Sequence, residues 1–262
     1  MDGMQLDVAE RTPPPELAPY IARYSGYSLR PLGSEPIRRR EIPTGLVTVI
    51  LTFEGKLTIT DPGGSATFSS FVAGIDEHSV LTEYGELHGM QLDLPPLGAY
   101  RLFGLPMREL ANTTIELDAL DERPWSALIT QLADAPGWEE RFALLDETLL
   151  GWADEGPAPD PAVAWALRRL QHTGGLAPVG ALAAEIGWSR RHFGARFHEQ
   201  VGMGPKATAS VLRFRHAVRL LGTEATISDV AAASGYADHS HLTREFRRLA
   251  GCTPSEYRLA GA

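Results

Sequence analysis

The stretch GYADHSHLTREFRRLAGCTPSEYR, residues 235–258, decides the fold of the C-terminal part of this chain. It places Gly235 and an aromatic residue before a segment in which Leu242 and Phe246 are four residues apart, the spacing of one apolar helix face. Polar and basic residues fill the opposite face. The pattern predicts a turn followed by a helix that packs along one edge and leaves a polar edge facing out.

The same pattern occurs a second time, earlier in the chain. ALAAEIGW (181–188) aligns with DVAAASGY (229–236), and HFGARF (192–197) aligns with HLTREF (241–246). Each copy reads as a short Ala-rich helix, a Gly-marked turn and a second helix. Small Ala side chains let two helices cross closely, and Gly permits the sharp turn between them. The repeat therefore predicts two helix-turn-helix units.

A helical segment, PKATASVLRFRHAVRLL (205–221), joins the two copies. At 1.5 Å per residue it spans about 26 Å. Helix-turn-helix units commonly bind DNA through their second helix, the recognition helix. Such a spacer can place two recognition helices in successive major grooves, which lie roughly 34 Å apart on one face of the DNA duplex. A single chain would then read two half-sites.

The formal charge of −9 hides an asymmetry between the two parts of the chain. Residues 1–159 contain 11 basic and 25 acidic side chains, whereas residues 160–262 contain 13 and 8. Six of the eight His residues also lie in the second part. Only that part is suited to meet a polyanion such as DNA.

The first part reads as a sheet-forming region. Short β-branched and aromatic runs, separated by turn residues, predict a small antiparallel β-barrel or sandwich of cupin-like type; they are GLVTVILTF (45–53), KLTIT (56–60), ATFSSFVAGI (66–75), HSVLTEY (78–84) and HGMQLDL (88–94). From Pro95 onward the pattern becomes helical, with an apolar stripe from Trp138 to Trp152 that predicts core or a self-association face.

The predicted fold is therefore α+β with two domains. The Pro-rich, acidic stretch ADEGPAPDPA (153–162) marks the boundary. We expect a β-rich domain with appended helices at 1–153, a linker at 154–161, and an all-α domain with two helix-turn-helix units and a linking helix at 162–262.

Several classes of protein are not expected. The opening residues lack the pattern of a leader peptide, and no run of 18 apolar residues occurs. The one cysteine, Cys252, leaves no CxxC site and fits a reducing cytoplasm. We therefore expect a cytoplasmic protein that is neither exported nor embedded in a membrane, and the absence of GxGxxG, P-loop and GxSxG motifs in the first part gives no sign of an enzyme or a cofactor.

The C-terminal residues resemble a known family. GMGPK (202–206), RFRHAVRLL (213–221) and ISDVAAASGYADHSHLTREFRRLAGCTPSEYR (227–258) are similar to the DNA-binding domain of AraC/XylS-type transcriptional regulators. The resemblance covers about residues 162–258 and is most specific in the second unit. It implies two helix-turn-helix units joined by one linking helix, in agreement with the repeat.

The resemblance also implies which residues face DNA. The outward positions of the recognition helices are Arg191, Gly194 and Ala195 in the first unit, and Ser240, Thr243 and Arg244 in the second. Gly194 and Ala195 offer little to a base, so the base-facing residues are Arg191, Ser240, Thr243 and Arg244. The candidates for phosphate contacts are Arg190, Lys206, Arg213 and Arg247.

The function expected is a sequence-specific transcription regulator that binds double-stranded DNA, acts with RNA polymerase and is not an enzyme. By the same resemblance, the N-terminal domain senses a small-molecule effector or forms a homodimer. Two alternatives stay open: the acidic domain binds a protein partner or its own basic domain, or, less in keeping with the sequence, it carries an enzymatic activity.

Two features of the first part have a second reading. His78, Glu83, Glu86 and His88 could converge on a metal, but the HxH pattern of metal-binding barrels is missing, and no metal site is expected. The basic run IRRREIP (37–43) could bind an anionic effector, but an exposed edge strand protected by charge is favoured.

Overall fold

The computed structural model describes residues 4–33 and 35–260. Two antiparallel sheets make up most of the first 116 residues. The first has six strands in the order β1 (Met4–Arg11), β2 (Arg23–Pro31), β9 (Leu87–Leu94), β4 (Val47–Glu54), β7 (Phe71–Ala73) and β10 (Thr114–Glu116). The second has four in the order β3 (Ile37–Glu41), β8 (Val80–Tyr84), β5 (Leu57–Asp61) and β6 (Gly64–Phe68).

The two sheets pack face to face. Their inner faces meet in two apolar groups, one that contains Tyr27, Leu87 and Tyr84 and another that contains Ile50 and Ile59. Over residues 4–33 and 35–260, no strand of one sheet pairs with a strand of the other, so the sheets do not close into a barrel. Of the two predicted forms, the sandwich is confirmed.

Strand β4 explains why the sequence run GLVTVILTF is apolar without a break. Val49 and Leu51 lie in the main core on one face of the sheet, whereas Ile50 lies between the sheets on the other. A strand buried on both faces has no solvent-facing positions, and its sequence loses the usual alternation.

Some strand predictions needed correction. The sequence predicts one strand at ATFSSFVAGI (66–75). In the structure this run is divided between β6 of the second sheet and β7 of the first. Ser69 and Ser70 make the crossing, where Thr52 N donates to Ser70 Oγ at 2.9 Å and Thr52 Oγ1 donates to Ser69 O at 2.6 Å. Strands β1, β2 and β10 were not predicted. The basic run does form an edge strand, β3, as favoured.

Three helices, α1 (Pro96–Phe103), α2 (Trp125–Asp134) and α3 (Trp138–Glu155), cover the outer face of the first sheet. The predicted apolar stripe of α3 is core, since Phe142, Leu145 and Leu149 are buried against the sheet. Trp138 lies flat on Gly26 of β2, where any β-carbon would overlap its ring. Gly26 is therefore required by packing.

The remainder of the chain is helical. Its helices are α4 (Pro161–His172), α5 (Val179–Ile186), α6 (Arg190–Val201), α7 (Pro205–Leu221), α8 (Ile227–Ala233), α9 (His239–Ala250) and α10 (Pro254–Leu259). Polar side chains cap five of the starts. Ser189, Thr226, Asp238 and Thr253 each accept a hydrogen bond from the backbone N–H three residues on, and Asp160 accepts one from Ala162 N, two residues on. The two predicted helix-turn-helix units are α5–α6 and α8–α9, and α7 links them.

The apolar core does not follow the predicted boundary. Helix α3 ends at Glu155 and α4 begins at Pro161, so the irregular segment lies within the predicted linker. Nevertheless one buried cluster continues from Leu51 in the sheet to Phe246 in the second helix-turn-helix unit, whereas the first unit has a separate cluster around Phe193. The division of the chain at 154–161 stays a prediction.

Candidate nucleic-acid interface

The first helix-turn-helix unit presents a basic N-terminal half of α6. Gly187 ends α5 with a φ of +77°, the left-handed conformation that glycine adopts without strain. Ser189 Oγ then accepts from His192 N at 3.2 Å and starts α6. Phe193 and Phe197 are buried against α4 and α5. Their burial fixes the opposite side of α6 toward solvent, where Arg191 is exposed.

The second unit repeats this design. Thr226 and Asp229 form a capping box at the start of α8, and Asp238 Oδ1 accepts from His241 N at 2.7 Å at the start of α9. The backbone N–H of His241 lowers the pKa of Asp238, because the hydrogen bond favours the carboxylate. Leu242 and Phe246 are fully buried, so the opposite face of α9 points outward.

The predicted base-facing residues lie on these outward faces. Ser240 and Arg244 are exposed, and Thr243 is half-buried with its Oγ1 donating to His239 O at 2.8 Å. These three share one side of α9 because positions i, i+3 and i+4 are neighbours on a helix. Arg191 lies in the other unit, on α6. The four residues therefore lie on two separate outward faces, one on α6 and one on α9.

The predicted phosphate contacts divide into two groups. Arg190, Lys206 and Arg247 are exposed at helix ends. Arg213 is half-buried on α7, and its Nη1 donates to Gly175 O at 3.2 Å. Its guanidinium also lies over the ring of Tyr236, 6.0 Å from the centroid. Arg213 is thus bound within the domain, which the sequence did not indicate.

Two other arginines near these outward faces are held by carboxylates. Arg196 Nη1 donates to Glu199 Oε2 at 2.8 Å on α6. Arg248 donates to Glu245 at 2.9 Å on α9, and this bond is the main cause that lowers the pKa of Glu245. The formal positive charge near α6 and α9 is therefore partly neutralised within the protein.

The N-terminal part contacts the second unit directly. Arg40 of β3 donates to Ala250 O at 3.5 Å, where α9 ends. Glu77, in the loop after β7, lies 3.7 Å from Arg248 of α9, measured between Oε2 and Nη1. Neither contact was predicted from the sequence, since each joins residues far apart in the chain whose types are common on surfaces.

Helix α7 also meets the N-terminal part. Arg215 is half-buried and lies close to Gly45, and burial lowers the pKa of its guanidinium while Asp93 of β9 partly offsets that effect. A cavity of about 30 Å³ lies beside it, between Leu46 and Val211 among others. That volume holds about one water molecule. The linking helix is therefore packed against the sandwich.

The residues considered for a metal do not converge. Glu83 pairs with Arg38 at 2.6 Å, and Glu86 pairs with Arg30. His88 stacks against the Trp138 ring, with centroids 5.4 Å apart. Burial and the charge of Arg141 lower the pKa of His88, which favours its neutral form. These side chains stabilise the sandwich.

Comparisons with known protein families match both parts of the chain. A family model described as a helix-turn-helix domain matches residues 182–260. A model described as a domain of unknown function (DUF6597) matches residues 9–116. The first match spans both helix-turn-helix units, and the second spans the two-sheet sandwich.

Two curated proteins match about a third of this chain. An uncharacterized HTH-type transcriptional regulator of Staphylococcus aureus is 32% identical over 81 residues, which is 30% of this chain and 11% of the relative. The virulence regulon transcriptional activator VirF of Yersinia enterocolitica is 36% identical over 82 residues, which is 31% of this chain and 30% of VirF. The chain therefore covers less than a third of either relative.

Solved structures of ToxT from Vibrio cholerae match nearly the whole chain, and one of them serves as the example. ToxT from Vibrio cholerae, bound to (E)-4-(8-methylnaphthalen-1-yl)but-3-enoic acid, is 11% identical with a TM-score of 0.50, and the match covers 98% of this chain and 99% of ToxT. At this identity the similarity concerns the fold alone. Separately, within residues 4–33 and 35–260 no helix is long and apolar enough to span a bilayer.

Proposed function

Because residues 182–260 of this chain belong to the AraC/XylS-type helix-turn-helix family, we propose that the protein is a sequence-specific DNA-binding transcription regulator. The observation that carries the proposal is the duplicated unit, in which buried aromatic residues orient α6 and α9 so that Arg191 and Arg244 face outward. On this proposal the chain is a regulator and not an enzyme.

Each recognition helix enters a major groove of double-stranded DNA. A helix 10 to 12 Å across fits a groove about 12 Å wide. Arg191 and Arg244 are suited to the O6 and N7 acceptors of guanine, and Ser240 and Thr243 make shorter contacts with base edges. The linking helix α7 sets the distance between the two half-sites.

Contacts with phosphates add affinity that does not depend on sequence. Arg190, Lys206 and Arg247 are exposed and free to approach the DNA backbone. Each phosphate neutralised contributes about −0.9 to the slope of log affinity against log salt. The internal contacts of Arg213 disfavour a phosphate contact for that residue and favour a structural role within the DNA-binding region.

The N-terminal part controls this reader, in our proposal, through an effector or through dimerisation, and the regulator acts with RNA polymerase. The contacts of Arg40 and Glu77 with α9, and the packing of α7 on the sandwich, support a physical coupling between the two parts. The same contacts support a second form of control, in which the acidic part restrains its own DNA-binding region without any ligand.

The proposal is tested with full-length protein and a library of genomic DNA fragments. The retained DNA is sequenced at two salt concentrations. We expect one two-part motif, with half-sites about one helical turn apart, to be enriched at both concentrations. Retention that lacks any motif and disappears at the higher salt concentration would show non-specific electrostatic binding and refute the proposal.

A further inference from the structure

The loop between α4 and α5 reaches across the DNA-binding region. Gly174 and Gly175 have φ angles of +58° and +83°, so the chain turns sharply after α4. A β-carbon on Gly175 would overlap the carbonyl oxygen of Ala209 in α7. Thr173 closes the loop, since its Oγ1 accepts from Ala177 N at 3.1 Å. This loop leads directly into α5, the first helix of the first unit, and lies against the linking helix.

The tip of the loop touches the second unit. Leu176 is 54% exposed, and its Cδ2 occupies the space beside Gly235 that a β-carbon would need. Gly235 is the turn residue between α8 and α9 and has a φ of +74°. The first unit is thus in contact with the turn that positions the second recognition helix.

Arg213 joins the same two elements from α7. Its Nη1 bonds to the carbonyl oxygen of Gly175 in the loop, and its guanidinium lies over the ring of Tyr236, next to Gly235. Tyr236 is only 4% exposed, so its ring is fixed in the second unit. One side chain therefore connects the first unit, the linking helix and the second unit.

We propose that Leu176, Arg213, Gly235 and Tyr236 form a spacing lock, in which Arg213 is a positioning residue that fixes α9 relative to α6. The proposal rests on the function proposed above. Adding one base pair between two half-sites moves them apart by about 3.4 Å and rotates them by about 35°. A locked reader accepts one spacing only, whereas a reader joined by a flexible hinge tolerates several.

The test measures binding to a series of spacers. Full-length protein is titrated against its selected two-part site and against sites with the spacer lengthened or shortened by one base pair. For the parent protein we expect affinity to fall about tenfold or more at each altered spacer, comparable to a mismatched base pair. For Arg213→Ala and Leu176→Ser we expect this penalty to shrink to about threefold.

Lys206→Ala is the matched control, because it removes a positive charge from the same helix away from the loop. It should weaken binding by the same factor at every spacer length and reduce the slope of log affinity against log salt by about 0.9. The Leu176→Ser variant changes a half-exposed side chain, and circular dichroism and urea unfolding establish that each variant is folded.

Three results would overturn the lock. In the first, the parent protein binds all spacers with the same affinity. In the second, Arg213→Ala shows the uniform loss of affinity and the reduced salt slope of Lys206→Ala, as a residue that contacts phosphate would. In the third, the Leu176→Ser variant is folded and keeps the full spacing penalty of the parent. If the parent selects no site at all, the proposed function fails, and the lock fails with it.

Discussion

A partly buried carboxyl group, that of Asp76, connects pH to stability at the scale of a single residue. It lies in the loop after β7, next to the Glu77 that approaches α9. Burial, and to a smaller extent the carboxylate of Asp61, raises the pKa of Asp76 to about 7. The folded protein therefore holds a proton on Asp76 at pH values where the unfolded chain, with an ordinary pKa near 4, has lost it.

This shift predicts the pH dependence of one variant. The stabilising contribution of protonated Asp76 is complete below about pH 4 and is lost as pH rises through about 7. Asp76→Asn removes the buried charge, so we expect it to raise the free energy of unfolding at pH 8, on the order of 2 kcal/mol, and to change it little at pH 4.

Urea unfolding at the two pH values checks this prediction. Asp7→Asn, on the exposed β1 strand, makes the same change of net charge and is the control. Equal effects of Asp76→Asn at both pH values would show that Asp76 is not protonated in the folded protein near neutral pH.

Residue roles were predictable where they follow from helix periodicity alone. The four-residue spacing of Leu242 and Phe246 predicted which side of α9 is buried, and so which residues face outward. The role of Arg213 was not predictable, because its partners Gly175 and Tyr236 come from two other elements. A basic residue on a linking helix gives no sign of an internal carbonyl acceptor.

Caps make the element scale testable, and the start of α8, where Thr226 and Ser228 lie close together, is one example. In the structure Thr226 Oγ1 accepts from Asp229 N, and the Asp229 side chain accepts from Thr226 N. Replacing a threonine cap by alanine leaves a backbone N–H without its partner, which costs about 1 kcal/mol. Thr226→Ala should therefore lower the free energy of unfolding by about that amount.

The control for this variant is Ser228→Ala, an exposed position inside the same helix. Chemical unfolding of both variants provides the comparison, and we expect Ser228→Ala to be near neutral. If Ser228→Ala costs as much as Thr226→Ala, the helix start assigned to Thr226 is wrong.

Whole elements were predictable where the residues that they pack against lie nearby in the sequence. The helix-turn-helix units are local and repeated, so one copy supported the other. The crossing at Ser69 and Ser70 was missed because residues 66–73 contain no Gly, Pro or charged residue that would mark a break, and only tertiary pairing divides the run. Strand β2 was missed because Gly26 interrupts its β-branched and aromatic pattern. This position must be glycine because the Trp138 ring, from a helix distant in sequence, fills the space that a β-carbon would need.

On the scale of the whole molecule, an acidic part is packed on a basic one. Glu77 and Arg248 approach each other across this junction, and both are partly exposed. A pair of this kind is worth at most about 1 kcal/mol. If the N-terminal part restrains the DNA-binding region, removal of the pair favours the DNA-bound form.

Glu77→Gln tests this restraint. We expect it to raise DNA affinity up to about fivefold, as the loss of one exposed ion pair allows. Glu86→Gln removes the same charge from the N-terminal part but breaks a pair with Arg30 that lies within the sandwich. Equal effects of the two variants in DNA titrations would show a general effect of charge and no restraint.

The contacts between the two parts could not be predicted from the sequence. The Pro-rich stretch at 153–162 indicated a boundary, yet one apolar cluster includes residues from both sides of it. Composition indicates where a chain lacks regular secondary structure, but it does not indicate which surfaces pack together in the folded protein. Opposite charges on the two parts were the one signal in the sequence that anticipated their association.

The central claim is that each helix-turn-helix unit reads one half of a two-part site. The most direct measurement repeats the selection of DNA sites with Arg191→Ala and with Arg244→Ala and compares the motifs base by base. We predict that each variant loses preference, by about 1–3 kcal/mol, at positions of one half-site and keeps the other half intact. Motifs that stay unchanged, or binding that weakens equally at every position, would contradict the claim.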